Sequence, residues 1–316
     1  MKIVADENIP FAAEAFAQLG DVVTVRGRAI KRDTVRDADA LIVRSVTRVN
    51  ADLLDGTAVR FVATATIGFD HVDVGYLRQR GIGFASAPGS NANSVAEYVV
   101  AALLVLARRK GFRLEGKTVG VVGVGNVGSR VVQKAAALGM KVLQNDPPLQ
   151  RQTGDPLFLP LEALFDADIL TFHVPLTRTG TDATYHMIGD QLLSRLRPGA
   201  IVINTSRGAV ADTAALLRAA ASGRLGGLVL DVFEGEPKIN VELVRRADIA
   251  TAHIAGYSYD GKARGTQMVY RAACEFFGLP AQWDLSAAMS PPPHPRLTVS
   301  ADRGDEEALA ELVLTV

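Results

Sequence analysis

Three short segments in the second half of the chain carry residue types that do acid–base chemistry together. They are Asn204-Thr205-Ser206-Arg207-Gly208, Asp231-Val232-Phe233-Glu234-Gly235-Glu236-Pro237 and Thr251-Ala252-His253-Ile254-Ala255-Gly256-Tyr257. Each follows a short apolar run that reads as a buried strand, so the three segments are expected as loops at strand ends. An arginine in such a loop can fork onto a carboxylate and a neighbouring carbonyl oxygen, although the same residue could serve in a surface ion pair. Histidine is scarce (His71, His173, His186, His253 and His294), and a lone histidine is more often structural. His253, however, shares its strand-end edge with Arg207 and Glu236. A histidine paired with a carboxylate keeps one tautomer and a raised pKa. It can then take the proton of an alcohol while hydride leaves, or return it in the reverse direction. The arginine stabilises the carbonyl oxygen as negative charge develops there. Arg207, Glu236 and His253 are therefore the candidate catalytic residues.

Such chemistry needs a hydride acceptor, and a second pattern supplies its cradle. Val119–Val122 runs into Gly123-Val124-Gly125-Asn126-Val127-Gly128, and a helical segment, 129–138, follows. A strand that turns on glycine and opens a helix suits a bound pyrophosphate. The first glycine makes the turn, the second lets the backbone approach the phosphates, and the third lets helix and strand pack closely. The helix presents unpaired N–H groups and its positive dipole end to the anion. The next strand, 141–143, closes on Asn145-Asp146, an acid placed to bond an adenosine ribose. Asp146 would repel a 2′-phosphate, which favours NAD over NADP.

The chain of 316 residues suits two domains and is 48% apolar, enough for substantial cores. Its 34 basic and 34 acidic residues balance, so nothing electrostatic favours nucleic acid or an anionic membrane. No run approaches the ~18 apolar residues of a membrane span. Met1–Asp6 enters a strand at once and lacks a signal peptide's apolar core, so a cytoplasmic protein is expected. Cys274 is the single cysteine, in an apolar helical setting, which excludes disulfide frameworks and reads as a core thiol. Strands at 2–6, 22–25, 40–43, 61–65 and 83–85 alternate with helices at 10–19, 50–54 and 73–79. A long helix, 95–107, leads into further strands at 169–172, 200–204, 227–231 and 249–251, separated by helices at 161–165, 190–196 and 213–221. This alternation predicts α/β architecture: two doubly wound parallel-sheet domains, one a Rossmann-type nucleotide domain and the other a flavodoxin-like substrate domain. Asp6-Glu7-Asn8 and Asp70-His71 read as capping and turn residues, and no metal is expected. A helix over 259–277 follows. Beyond Gly278, Ser290-Pro291-Pro292-Pro293-His294-Pro295 reads as a stiff linker before one strand (296–299) and one helix (306–314), a partial α+β tail.

N-x-x-R-G, E-G-E-P and T-x-H-x-x-G, with the glycine turn and Asp146 before them, resemble the D-isomer-specific 2-hydroxyacid dehydrogenases over residues 1–277. The resemblance implies a discontinuous substrate domain (1–92 and 257–279), an NAD-binding domain (93–256) and a C-terminal segment (280–316) made of the linker and an incomplete dimerisation module. It implies that Arg207 orients the substrate, that Glu236 (before Pro237, rather than Glu234) supports the histidine, and that His253 is the acid/base. The motifs M-K-I-V-A-D-E-N-I-P, V-R-S-V-T-R-V-N, T-A-T-I-G-F-D-H-V-D and H-I-A-G-Y-S-Y-D-G-K-A-R-G-T resemble the branch of the family that oxidises a phosphorylated four-carbon hydroxy acid. By that likeness Ser45, Thr66 and Tyr257 contact the substrate, while Asp231 and Gly256 join Asp146 on the NAD. Arg44 and Arg48 are candidates for the phosphate, with Arg264 behind them; Arg48 suits a solvated helix-start residue equally. Val174, after His173, stands where the family pattern has threonine, which would cost a contact near the nicotinamide. The expected partners are a small phosphorylated hydroxy acid and a second copy in a homodimer, with no nucleic acid and no membrane. The alternatives are another hydroxy acid, such as 3-phosphoglycerate or glycerate, or an NAD-sensing, corepressor-like protein.

Overall fold

A computed structural model describes residues 1–291, 296–299 and 304–315. They fall into two compact units, one of residues 1–91 with 257–291, the other of 92–256 with 296–299 and 304–315. The first unit opens with β1 (Lys2–Asp6), α1 (Ala12–Ala17), β2 (Asp21–Val25), α2 (Arg32–Val35), β3 (Ala40–Val43), α3 (Ala51–Leu54), β4 (Phe61–Thr64), α4 (Val74–Gln79) and β5 (Gly83–Ala85). All five strands are parallel in the order β2-β1-β3-β4-β5. Alternate residues feed opposite faces. Ile3, Ala5, Ile42 and Ala63 pack with α1, whereas Val4, Leu41, Val43 and Val62 pack with Val35, Leu54 and Leu77. The strand order reverses between β1 and β3, and Asp6 and Arg44 stand at the C-terminal ends of those two strands.

The second unit runs through α5 (Ala92–Lys110), β6 (Thr118–Val122), α6 (Asn126–Ala137), β7 (Lys141–Asn145), α7 (Pro147–Thr153), β8 (Ile169–Phe172), α8 (Asp190–Arg195), β9 (Ile201–Asn204), α9 (Thr213–Ala221), β10 (Gly227–Leu230), α10 (Val241–Arg246) and β11 (Ile249–Ala250). Six parallel strands lie in the order β11-β10-β9-β8-β6-β7. An isolated parallel bridge between Gln144 and Phe158 stands where the doubly wound pattern would add a strand beyond β7. Val119, Val121, Ile169, Ile203 and Val229 face α5 and α6, while Val122, Leu170, Phe172, Val202 and Leu230 face α8, α9 and α10. β8, β9 and β10 are buried along their whole length, as strands covered on both faces must be.

The chain then gives α11 (Tyr259–Phe277) and α12 (Leu285–Ala288) to the first unit, where Trp283 donates through Nε1 to Glu14 at 2.9 Å. α13 (Asp305–Thr315) belongs to the second unit: Leu309, Ala310 and Val313 pack on the α5 core, and the Glu306 carboxylate accepts from the Leu114 amide at 3.0 Å. Residues 296–299, expected as a strand, run without strand pairing, and a single short segment with no partner edge has no ladder to join. The expected linker residues 292–295, including His294, lie outside the described residues.

Candidate active site

The glycine turn is built as the spacing requires. Gly123 has φ +83°, and β8's end lies so near that a Cβ there would meet the His173 carbonyl oxygen at 2.7 Å. At Gly128 a Cβ would sit 1.9 Å from the Gly123 carbonyl oxygen, so helix and turn are in backbone contact. A Cβ on Gly125, by contrast, would meet nothing within 4 Å. Gly125 is the N-cap of α6 and offers no side-chain cap to the helix's first N–H groups. Open space beside an uncapped helix N-terminus fits a pyrophosphate, with Gly125, Asn126 and Val127 as its nearest backbone. Asp146 reaches into the same turn: Oδ2 accepts from the Val124 amide at 2.8 Å and Oδ1 caps α7 through the Leu149 amide at 3.0 Å. Each carboxylate oxygen keeps a second lone pair for a ribose hydroxyl.

Arg207, Glu236 and His253 stand after β9, β10 and β11, three adjacent strands of one sheet. Gly208 explains why the first two loops meet. A Cβ there would fall 2.0 Å from the Phe233 carbonyl, so only glycine lets the Arg207 loop press against the Glu236 loop. Glu236 Oε1 accepts from the Phe233 amide at 2.7 Å, which leaves Oε2 for His253 Nδ1 at 2.8 Å. A carboxylate can only accept, so Nδ1 carries the hydrogen and Nε2 the lone pair. That hydrogen bond raises the His253 pKa against the opposing effect of burial, with the charges of Glu236 and Asp231 adding and Arg207 opposing. Burial pushes the Glu236 carboxyl up, but the bonds from His253 and the Phe233 amide, with the His253 and Arg207 charges, outweigh it and hold the pKa down. His253 is half exposed, its side chain 51% accessible, so its free ring edge is open to a reactant. Arg207 donates to its neighbour's carbonyl, Ser206, at 2.8 Å.

Asp231 is the organiser of the histidine loop. Only 1% exposed, it accepts from the Thr251 hydroxyl (2.6 Å), the Ile254 amide (2.7 Å) and the Ala255 amide (2.9 Å), and its backbone carbonyl takes the His253 amide at 2.8 Å. These bonds hold His253 at φ +55°, a left-handed conformation that a non-glycine residue adopts only when its surroundings impose it. Gly256 follows in the turn after Ile254. His173 lies between Thr171 (2.9 Å) and Thr205 (3.3 Å), and burial pushes its pKa down to about 3, which keeps the ring neutral.

In the first unit, Arg44 forks onto the fully buried Asp6, with Nε to Oδ2 at 3.0 Å and Nη2 to Oδ1 at 3.4 Å. Ser45 and Arg48 follow in the same exposed loop. The Thr66 hydroxyl lies 2.6 Å from that of Thr64 and donates to the Gly68 carbonyl at 3.0 Å. His71 joins this group through Thr64 at 3.0 Å, and burial lowers its pKa against the nearby Asp70. Tyr257 is 65% exposed. The Lys262 ammonium lies 3.1 Å from its ring centroid, and Lys262 first, then Arg44, lower its phenol pKa. Arg264 is exposed on α11. Lys262 was not singled out in the sequence, although its spacing of five from Tyr257 across a helix start could have drawn notice. Also missed was a second histidine–carboxylate pair, His186 with Glu234. Among the described residues no group of three or more His, Cys, Asp or Glu could hold a metal, and no helix is long and apolar enough to cross a membrane.

A doubly wound sheet with an open glycine turn and an Arg–Glu–His set on adjoining strand ends defines a nicotinamide-dependent oxidoreductase of hydroxy acids. Residues 96–255 match the NAD-binding domain of the D-isomer-specific 2-hydroxyacid dehydrogenases, and the chain belongs to that family. It is 51% identical to an erythronate-4-phosphate dehydrogenase of Yersinia pestis, over 100% of this chain and 85% of the relative. Among solved structures, D-lactate dehydrogenase from Aquifex aeolicus, complexed with NAD and lactic acid, is similar with a TM-score of 0.71 and 27% identity, over 88% of this chain and 96% of the other. The NAD-bound 3-phosphoglycerate dehydrogenase of Entamoeba histolytica has a TM-score of 0.74 at 26% identity, over 88% and 95%. The cofactor is NAD, and the protein is an NAD-dependent oxidoreductase.

Proposed function

We propose that this enzyme oxidises 4-phospho-D-erythronate to 2-oxo-3-hydroxy-4-phosphobutanoate, a step of pyridoxal 5′-phosphate formation. The observation that carries the chemistry is the 2.8 Å pair of His253 and Glu236 on the strand-end edge shared with Arg207. The reading of the substrate draws on the likeness to erythronate-4-phosphate dehydrogenases over the whole chain. NAD, when bound, supplies the hydride acceptor, and the Gly123–Gly128 turn with Asp146 is assigned to its pyrophosphate and ribose. His253 Nε2 takes the proton of the 2-hydroxyl, and Glu236 steadies the imidazolium that results. Arg207 holds the carboxylate and draws charge onto the forming carbonyl oxygen. Asp231 and Gly256 serve the cofactor through the loop they shape. We assign substrate contacts in the first unit to Arg44, Ser45, Thr66 and Tyr257. The cations of Arg44 and Lys262 around the Tyr257 ring suit a dianionic end group, and Asp6 holds the Arg44 guanidinium in one orientation. We further read the enzyme as a homodimer, and as cytoplasmic in keeping with its one buried cysteine outside any disulfide.

The test is NADH formation by the purified protein with 4-phospho-D-erythronate, beside 3-phosphoglycerate and D-glycerate, including a single-turnover trace. Selective reduction with the first, even as a stoichiometric burst, is the expected result. Turnover of another acid alone would discard the substrate, and silence on all three with NAD bound would discard the catalytic reading.

A further inference from the structure

His186 and Glu234 form a second histidine–carboxylate pair, Nε2 to Oε1 at 2.6 Å, with Asp212 Oδ2 3.9 Å from the other ring nitrogen. Both side chains are about two-thirds buried, with accessibilities of 31% and 28%, and neither belongs to the acid–base set. Their placement is what matters. The His186 amide donates to the Ala209 carbonyl at 2.9 Å, and the Ile188 amide to Val210 at 3.0 Å, so residues 186–188 are tied to the turn that begins at Arg207. Through its ring, the same residue holds the Phe233–Glu236 turn at Glu234, two positions before Glu236. Glu234 Oε2 is also 3.5 Å from the Thr213 amide, at the start of α9. Between these turns lies the Gly208–Phe233 backbone contact. His186 is itself held at φ +55°, and its ring stacks on Tyr185 at 3.9 Å and 16°, with the Arg178 guanidinium 4.3 Å from the tyrosine ring. A backbone kept in the left-handed region and a ring fixed on both edges and one face mark a residue whose orientation is over-determined.

We propose that His186 is a positioning residue for the acid–base pair: with its backbone amide on the Ala209 carbonyl and its ring on Glu234, it joins the Arg207 and Glu236 turns, and the ring bond sets Glu236 against His253. The proposal rests on the catalytic reading of Glu236 and His253. In the neutral ring Nε2 donates to Glu234; protonated, the ring faces two carboxylates, Glu234 and Asp212, and the lock holds in either form. Freed of the lock, the Phe233–Glu236 turn can drift, and displacement of a catalytic group by about 1 Å costs roughly 100-fold in rate.

The experiment is a double-mutant cycle on full-length enzyme with His186→Ala, Glu234→Ala and the double variant, plus His186→Gln, whose side-chain amide can still donate to Glu234. Each single alanine variant should lower kcat about 10- to 100-fold with KM for NAD within about twofold, and the double should be no worse than either single. The pH at which oxidation reaches half its plateau should fall, because His253 is less well held by Glu236. His186→Gln should recover most of the loss. Multiplying effects in the double variant, or an alanine variant that loses thermal stability while kcat and the pH profile stay put, would overturn the proposal. Should His186→Ala not fold, Glu234→Gln and His186→Gln carry the same comparison: both keep a hydrogen bond and should stay within about threefold of the parent, and a drop beyond tenfold in either would overturn it. His253→Ala serves as the control for the underlying reading: if it kept turnover, the acid–base assignment itself would fail, whatever His186 does.

Discussion

Glu236→Gln tests the geometry of the acid–base pair more sharply than removal of the side chain. In the parent, Oε1 is held by the Phe233 amide at 2.7 Å and Oε2 receives the His253 Nδ1 hydrogen at 2.8 Å. A backbone N–H cannot donate to an NH2 group, so glutamine must place its oxygen against Phe233 and turn its NH2 toward His253. Nδ1 then has to accept, which moves the ring hydrogen to Nε2, the atom that should receive the substrate proton. A carboxylate-to-amide change of this kind in a serine protease triad costs about 10⁴ in kcat by the same tautomer inversion. The His253 pair is more exposed than a buried triad, and solvent screening trims the charge component. A loss of roughly 10²–10⁴ in kcat for hydroxy acid oxidation, about 3–5.5 kcal/mol of barrier, is therefore expected. Glu236→Ala should lose less, since it leaves the imidazole free to adopt the productive tautomer. The pH profile adds a signed check. Glu236 raises the His253 pKa, and oxidation needs the neutral ring, so the rate climbs as pH rises through that raised value. Without the carboxylate the limb must move to lower pH, toward the ordinary histidine value, whereas the limb for the reverse reduction, which needs the protonated ring, falls away earlier. Steady-state NADH fluorescence across a pH series spanning the histidine range would measure both, with phosphate buffers avoided as competing anions. The reasoning fails if Glu236→Gln keeps more than about a tenth of parental kcat, or if Glu236→Ala is the worse of the two.

Three other outcomes follow from the packing. Gly208→Ala puts a methyl 2.0 Å from the Phe233 carbonyl and should cost about 1–3 kcal/mol in urea unfolding together with most of the activity; a neutral result would mean the two turns are not in contact. Asp231→Ala strips the acceptor from the buried Ala255 amide and the part-buried Ile254 amide and leaves the Thr251 hydroxyl with Tyr98 alone, and at roughly 1–3 kcal/mol per stranded buried group should greatly loosen the loop that carries His253. An unchanged melting temperature and kcat would refute its role as organiser. Asp146→Ala should weaken NAD and relax discrimination against NADP, while losing a helix cap worth about 0.5–2 kcal/mol. Asp146→Ser, which keeps a capping oxygen, should show the cofactor effect with less of the stability loss, and equal NAD affinity in all three proteins would remove Asp146 from the ribose.

The strands and the site differ in how openly the sequence displays them. Buried runs such as Ile169–Phe172 and Ile201–Asn204 are legible because a parallel strand covered on both faces must be largely apolar. α9 and α11 match the helices expected over 213–221 and 259–277, and their starts carry side-chain caps, Asp212 and Ser258, of the kind a sequence displays. α7 was not expected, although Asp146 followed by Pro147 and Pro148 is a helix start in its own right. The one carboxylate caps the helix and is also the group assigned to the ribose. The strand-end position of Arg207, Glu236 and His253 was likewise visible, because it depends only on where apolar runs stop. What stayed hidden were pairings between distant residues: Arg44 with Asp6 across 38 positions and His186 with Glu234 across 48. Nothing in local periodicity encodes such partners. Nor does sequence reveal that Asp231 turns inward to the histidine loop, since an aspartate at a strand end looks the same whether it faces solvent or amides.

Arg207, Glu236 and His253, the proposed acid–base set, all lie at neighbouring strand ends of one unit, where Glu236 and His253 are bonded to each other. The reacting geometry is thus inherited as a single cassette, assembled by one sheet before any substrate arrives. On the proposed assignment of substrate contacts to Arg44, Thr66 and Tyr257, natural selection could rewrite the loops of the other unit and change what is oxidised without retuning the oxidation. A lineage built this way diversifies its diet of hydroxy acids cheaply, and a chimera that grafts a foreign first unit onto residues 92–256 would begin with its proton-transfer machinery already in register.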